Sequence, residues 1–252
     1  MKKWFRPGSA FNARIPHRPL GLASIVPPFL VILALWVAYW LDARFALELF
    51  QFGVYPRQIF GLKGLVLAPL VHGGLNHLVN NTFPLLILGV SLFYFYPRQA
   101  WWVLLLAWLG SGLGTWLFAR ESYHIGASGV VYALAAFVFF SGILRGNAQL
   151  LALSLFTAFV YGGLVWGLLP METQVSHEAH LAGSLSGLLL ALLLGRRAQP
   201  EEEIPLALPP NDDLSEQIER FGDQYWLPPE QRDVQSKEAP FRYIYRRDEK
   251  KN

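Results

Sequence analysis

GASGVVYALAAFVFFSGIL, residues 126–144, contains no Asp, Glu, Lys or Arg, and a helix of about this length crosses a hydrocarbon core of ~30 Å. It opens on Gly126-Ala127-Ser128-Gly129, which sets a hydroxyl at its mouth. AHLAGSLSGLLLALLL, residues 179–194, is a second run of the same kind and opens with an imidazole, His180. Polar side chains at membrane depth are costly and must find partners inside the protein. A hydroxyl and an imidazole at two such mouths therefore read as a nucleophile and its base.

Six apolar runs follow from the same reading: Leu22 to Leu41, His77 to Tyr96, Trp101 to Phe118, Gly126 to Leu144, Leu150 to Leu169 and Ala179 to Leu194, none with a charged residue inside. Hydrophobic residues make up 53% of the chain and charged ones 15%, and the charges gather near the two ends, so the middle reads as a membrane domain. Pro27, Pro28 and Pro84 fall within these runs, where neighbouring helices can satisfy the freed carbonyls. The first run is as long as a full span and lacks a small-residue cleavage site, so it is expected to stay as a helix and not act as a signal peptide. The absence of cysteine leaves hydrolysis, if present, to oxygen or metal chemistry.

An even number of spans puts both termini on one side. Nine basic residues (Lys2, Lys3, Arg6, Arg14, Arg18, Arg98, Arg145, Arg196 and Arg197) lie on that side against Arg44, Arg57, Lys63 and Arg120 on the other, and the excess predicts cytoplasmic termini. Spans two, four and six then all start at the outer side. His72, His77 and Asn81, Ser128, and His180 are thereby brought to one depth, beside helix N-termini whose free amides favour an anion.

A serine hydroxyl needs a base, and histidine suits the task near neutral pH. His180 precedes Gly183 and Gly187, small residues at a spacing that lets two helices approach closely. Tyr132 lies one turn below Ser128 on nearly the same face, placed to stack on the imidazole. His77 and Asn81 share a face of the second span and suit an oxyanion hole, while the glycines, Gly126 among them, leave room for a substrate backbone. His177-Glu178-Ala179-His180 is one residue short of the H-E-x-x-H zinc pattern, so neither a metal nor a cofactor is expected.

Together these residues resemble the rhomboid family of intramembrane serine proteases. His72-x4-His77-x3-Asn81, Gly126-x-Ser128-Gly129 with Tyr132, and Ala179-His180-x2-Gly183 occur in the family's order on the second, fourth and sixth spans. The resemblance covers roughly Leu20 to Arg197 and implies an all-α membrane protein with a six-helix rhomboid bundle. It implies a Ser128/His180 catalytic dyad without an acidic third member, an oxyanion hole drawn from His77, Asn81 and the Ser128 amide, and His72 in support. Expected partners are transmembrane protein substrates and the lipid bilayer, with no nucleic acid, and the expected location is a bacterial inner membrane. The first outer loop, 42–71, lacks the Trp-Arg pair found in some bacterial members. A proteolytically inactive membrane chaperone or dislocation factor on the same scaffold is the alternative, which retention of Ser128, His180 and Tyr132 disfavours.

Three regions are expected: a cytoplasmic segment over 1–19, the membrane domain over 20–197 and a largely disordered tail over 198–252. The tail holds thirteen of the 18 acidic residues but only eight of the 21 basic ones, so it is net negative beside a net positive membrane domain. Its seven prolines favour extended linker. Leu214, Ile218 and Phe221 lie on one side of a short amphipathic stretch, Asp213 to Phe221, suited to docking a cytoplasmic partner.

Overall fold

The structure, a computed structural model, describes residues 20–145, 147–170 and 176–194. The N-terminal segment, the acidic tail with its amphipathic stretch, and Arg196 and Arg197 lie outside the described residues. Among the described residues, seven α-helices follow in order: α1 (Leu22–Phe45), α2 (Gly64–Leu67), α3 (Leu75–Phe95), α4 (Ala100–Phe118), α5 (Ser128–Arg145), α6 (Ala148–Tyr161) and α7 (His177–Leu194). Six segments among the described residues are long and apolar enough to cross a membrane, α6 reaching that length together with the 3-10 turns Gly162–Leu168 that extend it. The protein is an all-α, multi-pass membrane protein.

α5 is the central helix. Over half of its apolar window is buried, against about a fifth for α1, α4 and α6, and it packs on α7, α6, α3 and α4. Lipid is as apolar as a leucine side chain, so close packing, not water exclusion, must hold such helices together. A Cβ at Gly183 would overlap the Gly129 carbonyl, and one at Gly187 would overlap the Ala133 carbonyl. The two glycines expected to permit close approach thus lie directly against the α5 backbone. Pro27 and Pro28 stay inside α1 and Pro84 inside α3 without ending either helix. Pro28 itself fills the space over Gly89 of α3.

Near the C-terminal end of α5 the guanidinium of Arg145 lies 4.6 Å from the Tyr96 ring centroid and donates to Gln99 Oε1 at 2.9 Å. Ser141 Oγ donates to the Tyr96 hydroxyl at 2.8 Å. These bonds join α5 to the turn between α3 and α4.

Several helix limits differ by a few residues from the sequence expectation, and two of the differences have identifiable reasons. α5 begins at Ser128 and not Gly126, because Gly126 has φ 103, a left-handed turn that glycine adopts without strain. The fifth span changes from α to 3-10 at Gly162, where two successive glycines weaken the helix. The segment 46–74, to which the sequence reading assigned no elements, is ordered into 3-10 turns around α2. It is tied down by Trp116 Nε1 donating to Gln58 O at 2.9 Å and Trp108 Nε1 donating to Val66 O at 3.0 Å. Val54 and His124 exchange backbone bonds, each 2.9 Å, and Gly126 N donates to Ala68 O.

The α5–α7 contact leads to a direct test. Gly187→Ala should destabilise the protein by about 1–3 kcal/mol, the usual cost of overpacking, in unfolding titrations in detergent. Gly162→Ala, where an added Cβ meets nothing within 4 Å, should stay within about 0.5 kcal/mol. Equal effects at the two positions would contradict the packing account.

Candidate active site

The N-terminal ends of α3, α5 and α7 supply the polar residues. Between α4 and α5 the chain is extended at His124, pairs with Val54 and turns at Gly126 into α5. Ser128 is therefore the first residue of its helix, where backbone N–H groups lack partners within the helix. His180 lies in the first turn of α7. Its Nε2 is 2.9 Å from Ser128 Oγ, and its Nδ1 is 2.9 Å from the Gly167 carbonyl oxygen. The imidazole is buried, and Ser128 is half-buried.

Tyr132 stacks on the His180 ring with centroids 4.1 Å apart and planes 9° from parallel. Its hydroxyl donates to Leu164 O at 2.7 Å. The ring thus both supports the imidazole and satisfies its own polar end.

On α3, the His77 ring occupies the space that a Cβ at Gly126 would need, so this glycine serves both the turn and the packing. Asn81 is buried, and its side-chain nitrogen has no hydrogen-bond partner. It lies 3.6 Å from where that Cβ would stand. A buried amide left unpaired costs stability, and a group kept at that cost calls for a reason such as a catalytic role. His72 sits next to His77, with ring centroids 5.0 Å apart, and its Nε2 faces the Ala127 amide at 3.5 Å. Asn76 and Asn80 are exposed.

A cavity of about 30 Å³ lies behind the serine turn, lined by Ser111, Thr115, His124, Gly126, Gly129 and Ala179 among others. That is room for about one water.

The structure also adds groups that the motifs did not identify. His124 Nδ1 is 2.6 Å from Ser176 Oγ, and its Nε2 is 2.9 Å from Arg120 O. Ser176 Oγ accepts from Ala179 N at 3.2 Å and caps α7. Arg120 pairs with Glu178 at 3.6 Å. Together these contacts fix the mouth of α7 against the loop that leads to Ser128. Serine just before a helix with an acid in its first turn is a start signal readable from sequence, but its histidine partner 52 residues away is not. The Gly167 and Leu164 carbonyls belong to backbone and have no sequence signature.

The family model of the Rhomboid domain matches residues 59–197, more than half of the chain. The chain belongs to the rhomboid family. An uncharacterized protein of Mycobacterium tuberculosis is 35% identical over 151 residues, covering 56% of this chain and 63% of the relative. The chloroplastic Rhomboid-like protein 11 of Arabidopsis thaliana is 27% identical over 183 residues, 60% of this chain and 65% of that one. The mitochondrial RHOMBOID-like protein 6 of the same plant is 32% identical over 139 residues, 52% and 43%. The chain thus matches less than two thirds of the length of each of these relatives.

Burial pushes the His72 imidazole down to about 4, helped by the neighbouring His77, and burial also lowers His124. An unfolded chain takes up these protons near pH ~6.5. The folded rhomboid resists until about pH 4 at His72, so the stability from keeping this ring neutral is full above the unfolded value and is lost as pH falls through that window. The unfolding midpoint in detergent should fall between pH ~6.5 and ~4, and His72→Gln should flatten the slope. A midpoint with the same pH slope in both proteins would contradict this.

Proposed function

We propose that this rhomboid is an intramembrane serine endopeptidase that cleaves transmembrane helices of membrane-protein substrates. The single observation that carries the reading is the 2.9 Å contact between His180 Nε2 and Ser128 Oγ, made at the mouths of two membrane helices. Geometry of this kind is what base activation of a serine requires.

In the proposed reaction, His180 Nε2 takes the Ser128 proton as Oγ bonds to the scissile carbonyl carbon. The carbonyl oxygen becomes an oxyanion, and the Asn81 amide, His77 and the Ser128 backbone N–H are its donors. Collapse breaks the C–N bond, and the leaving amine takes the proton from the His180 imidazolium. A water then gives its proton to His180 and attacks the ester, releasing the acid and restoring the hydroxyl. The unpaired Asn81 nitrogen supports the oxyanion role, since a developing anion would give it the partner it lacks. The cavity bordered by Gly126, Gly129 and Ala179 has room for about one water behind the serine turn. His72 acts in support, beside His77.

In the membrane, the reading sets both termini on the cytoplasmic side of a bacterial inner membrane, by the excess of basic residues there. Residues 198–252 then form a cytoplasmic tail available to a partner. An inactive scaffold would need neither the hydroxyl–imidazole contact nor the stacked Tyr132.

Two outcomes follow for a purified protein given a transmembrane reporter. Ser128→Ala and His180→Ala should each lower turnover by at least ~10³-fold, and the double variant should be no worse than either single one, because the pair acts as a unit. Turnover by Ser128→Ala would reject the assignment. The cut, mapped by mass spectrometry, should fall near the outer end of the reporter helix. Small or helix-weakening residues there, Gly, Ala or Ser, should promote cleavage relative to Leu or Val, Gly costing about 1 kcal/mol of helix stability relative to Ala and so easing exposure of a carbonyl; a cut in the inner half would contradict the topology.

A further inference from the structure

Every polar atom of the His180 ring has a defined neighbour, but only one of the two has a proposed role. Nε2 faces the Ser128 hydroxyl, while Nδ1 faces the carbonyl of Gly167 at 2.9 Å. A carbonyl oxygen can only accept. A neutral imidazole carries one proton, so the ring satisfies Gly167 only when that proton is on Nδ1. Nε2 is then left as the acceptor that a serine hydroxyl needs.

The arrangement is specific to a glycine. A Cβ at Gly167 would collide with the Tyr132 hydroxyl and stand 3.2 Å from His180 Nδ1, so only a residue without a side chain lets this backbone reach the ring. The 3-10 turn Gly162–Leu168 is held a second time by the Tyr132 hydroxyl on Leu164 O, and Tyr132 stacks on the same imidazole. One aromatic side chain therefore fixes both the plane of the base and the segment that supplies its acceptor.

We infer that Gly167 is a positioning residue of the Ser128/His180 pair, its backbone carbonyl holding the imidazole in the Nδ1–H tautomer and in the orientation that presents Nε2 to the serine. The inference rests on the proposed catalytic role of that pair. A carboxylate could hold the ring in the same way, but it would be an additional buried charge at membrane depth, where a charge is expensive to keep. A carbonyl already present in the backbone orients the ring without that cost. When His180 accepts the serine proton, the Nδ1–H bond to Gly167 persists, so the imidazolium keeps a partner through the reaction.

The test weakens this acceptor, removes the Leu168 N–H with it, and changes no side chain; the control exchange removes one N–H of the same turn as well. Replacing Leu168 by its α-hydroxy acid analogue converts the Gly167–Leu168 amide to an ester, whose carbonyl is a poorer acceptor. In the full-length protein acting on a transmembrane reporter, kcat should fall about tenfold, the effect of losing roughly one good hydrogen bond in the transition state, with KM within about twofold. The same exchange at Trp166, which weakens the Val165 carbonyl instead, should leave kcat within about twofold. An unchanged kcat in the Leu168 ester, or an equal loss at both positions, overturns the role of Gly167. Activity of Ser128→Ala measured alongside would instead reject the catalytic pair itself. A second measurement avoids the backbone exchange: histidine-labelled protein, with His180 assigned by its loss in a folded His180→Ala, should show the neutral ring protonated at Nδ1 by 15N NMR. A ring protonated at Nε2 at rest overturns the inference.

Discussion

The contact between α5 and α7, backbone against backbone, is the constraint on which the rest of this molecule depends. Gly183 and Gly187 present no side chain to the Gly129 and Ala133 carbonyls, and the helix axes approach as closely as glycine permits. Ser128 is next to the first of these contacts on one helix, and His180 lies three residues before it on the other. A hydrogen bond of 2.9 Å between their side chains is thus a product of helix packing. Any residue that pushed the helices apart would lengthen that bond before it touched either group.

Polar groups in a lipid-facing bundle have few ways to be satisfied, and this chain relies heavily on main-chain oxygens. Tyr132, His180 and Ser154 bond to carbonyls of neighbouring segments, and Thr82, Thr115 and Thr157 bond back along their own helices. Asn81 beside the serine turn and Tyr161 on α6 depart from this, the Asn81 nitrogen and the Tyr161 hydroxyl both being buried and unpaired. The loop between α1 and α3 extends the same logic. Its indole-to-carbonyl bonds to α4 and its pairing with His124 keep the Gly126 turn in place from the outer side.

Much of this was legible in the sequence. Charge-free runs near 20 residues long gave six spans because the bilayer leaves the backbone little alternative to helix. The spacing of Ser128 and Tyr132, and of His180, Gly183 and Gly187, put these residues on shared faces because a helix has a fixed period. Other features were not legible. The ordered loop 46–74 is held by contacts between distant residues, among them Trp116 with Gln58 and Gly126 with Ala68, and local pattern does not encode these. The 3-10 end of the fifth span reads as an ordinary apolar run, and its tie to Tyr132 and His180 passes through carbonyls that every residue has. His124 stood out only as a histidine, since its partner Ser176 belongs to another loop.

Covalent capture tests the proposed activation of Ser128 by His180 most directly, with no need for the natural substrate. Intact-mass analysis of the purified protein after treatment with a fluorophosphonate should find one adduct, mapped by fragmentation to Ser128, and the adduct should be lost in His180→Ala that still folds. An adduct on Ser128 forming equally fast without His180, or one on a different serine, would contradict the account.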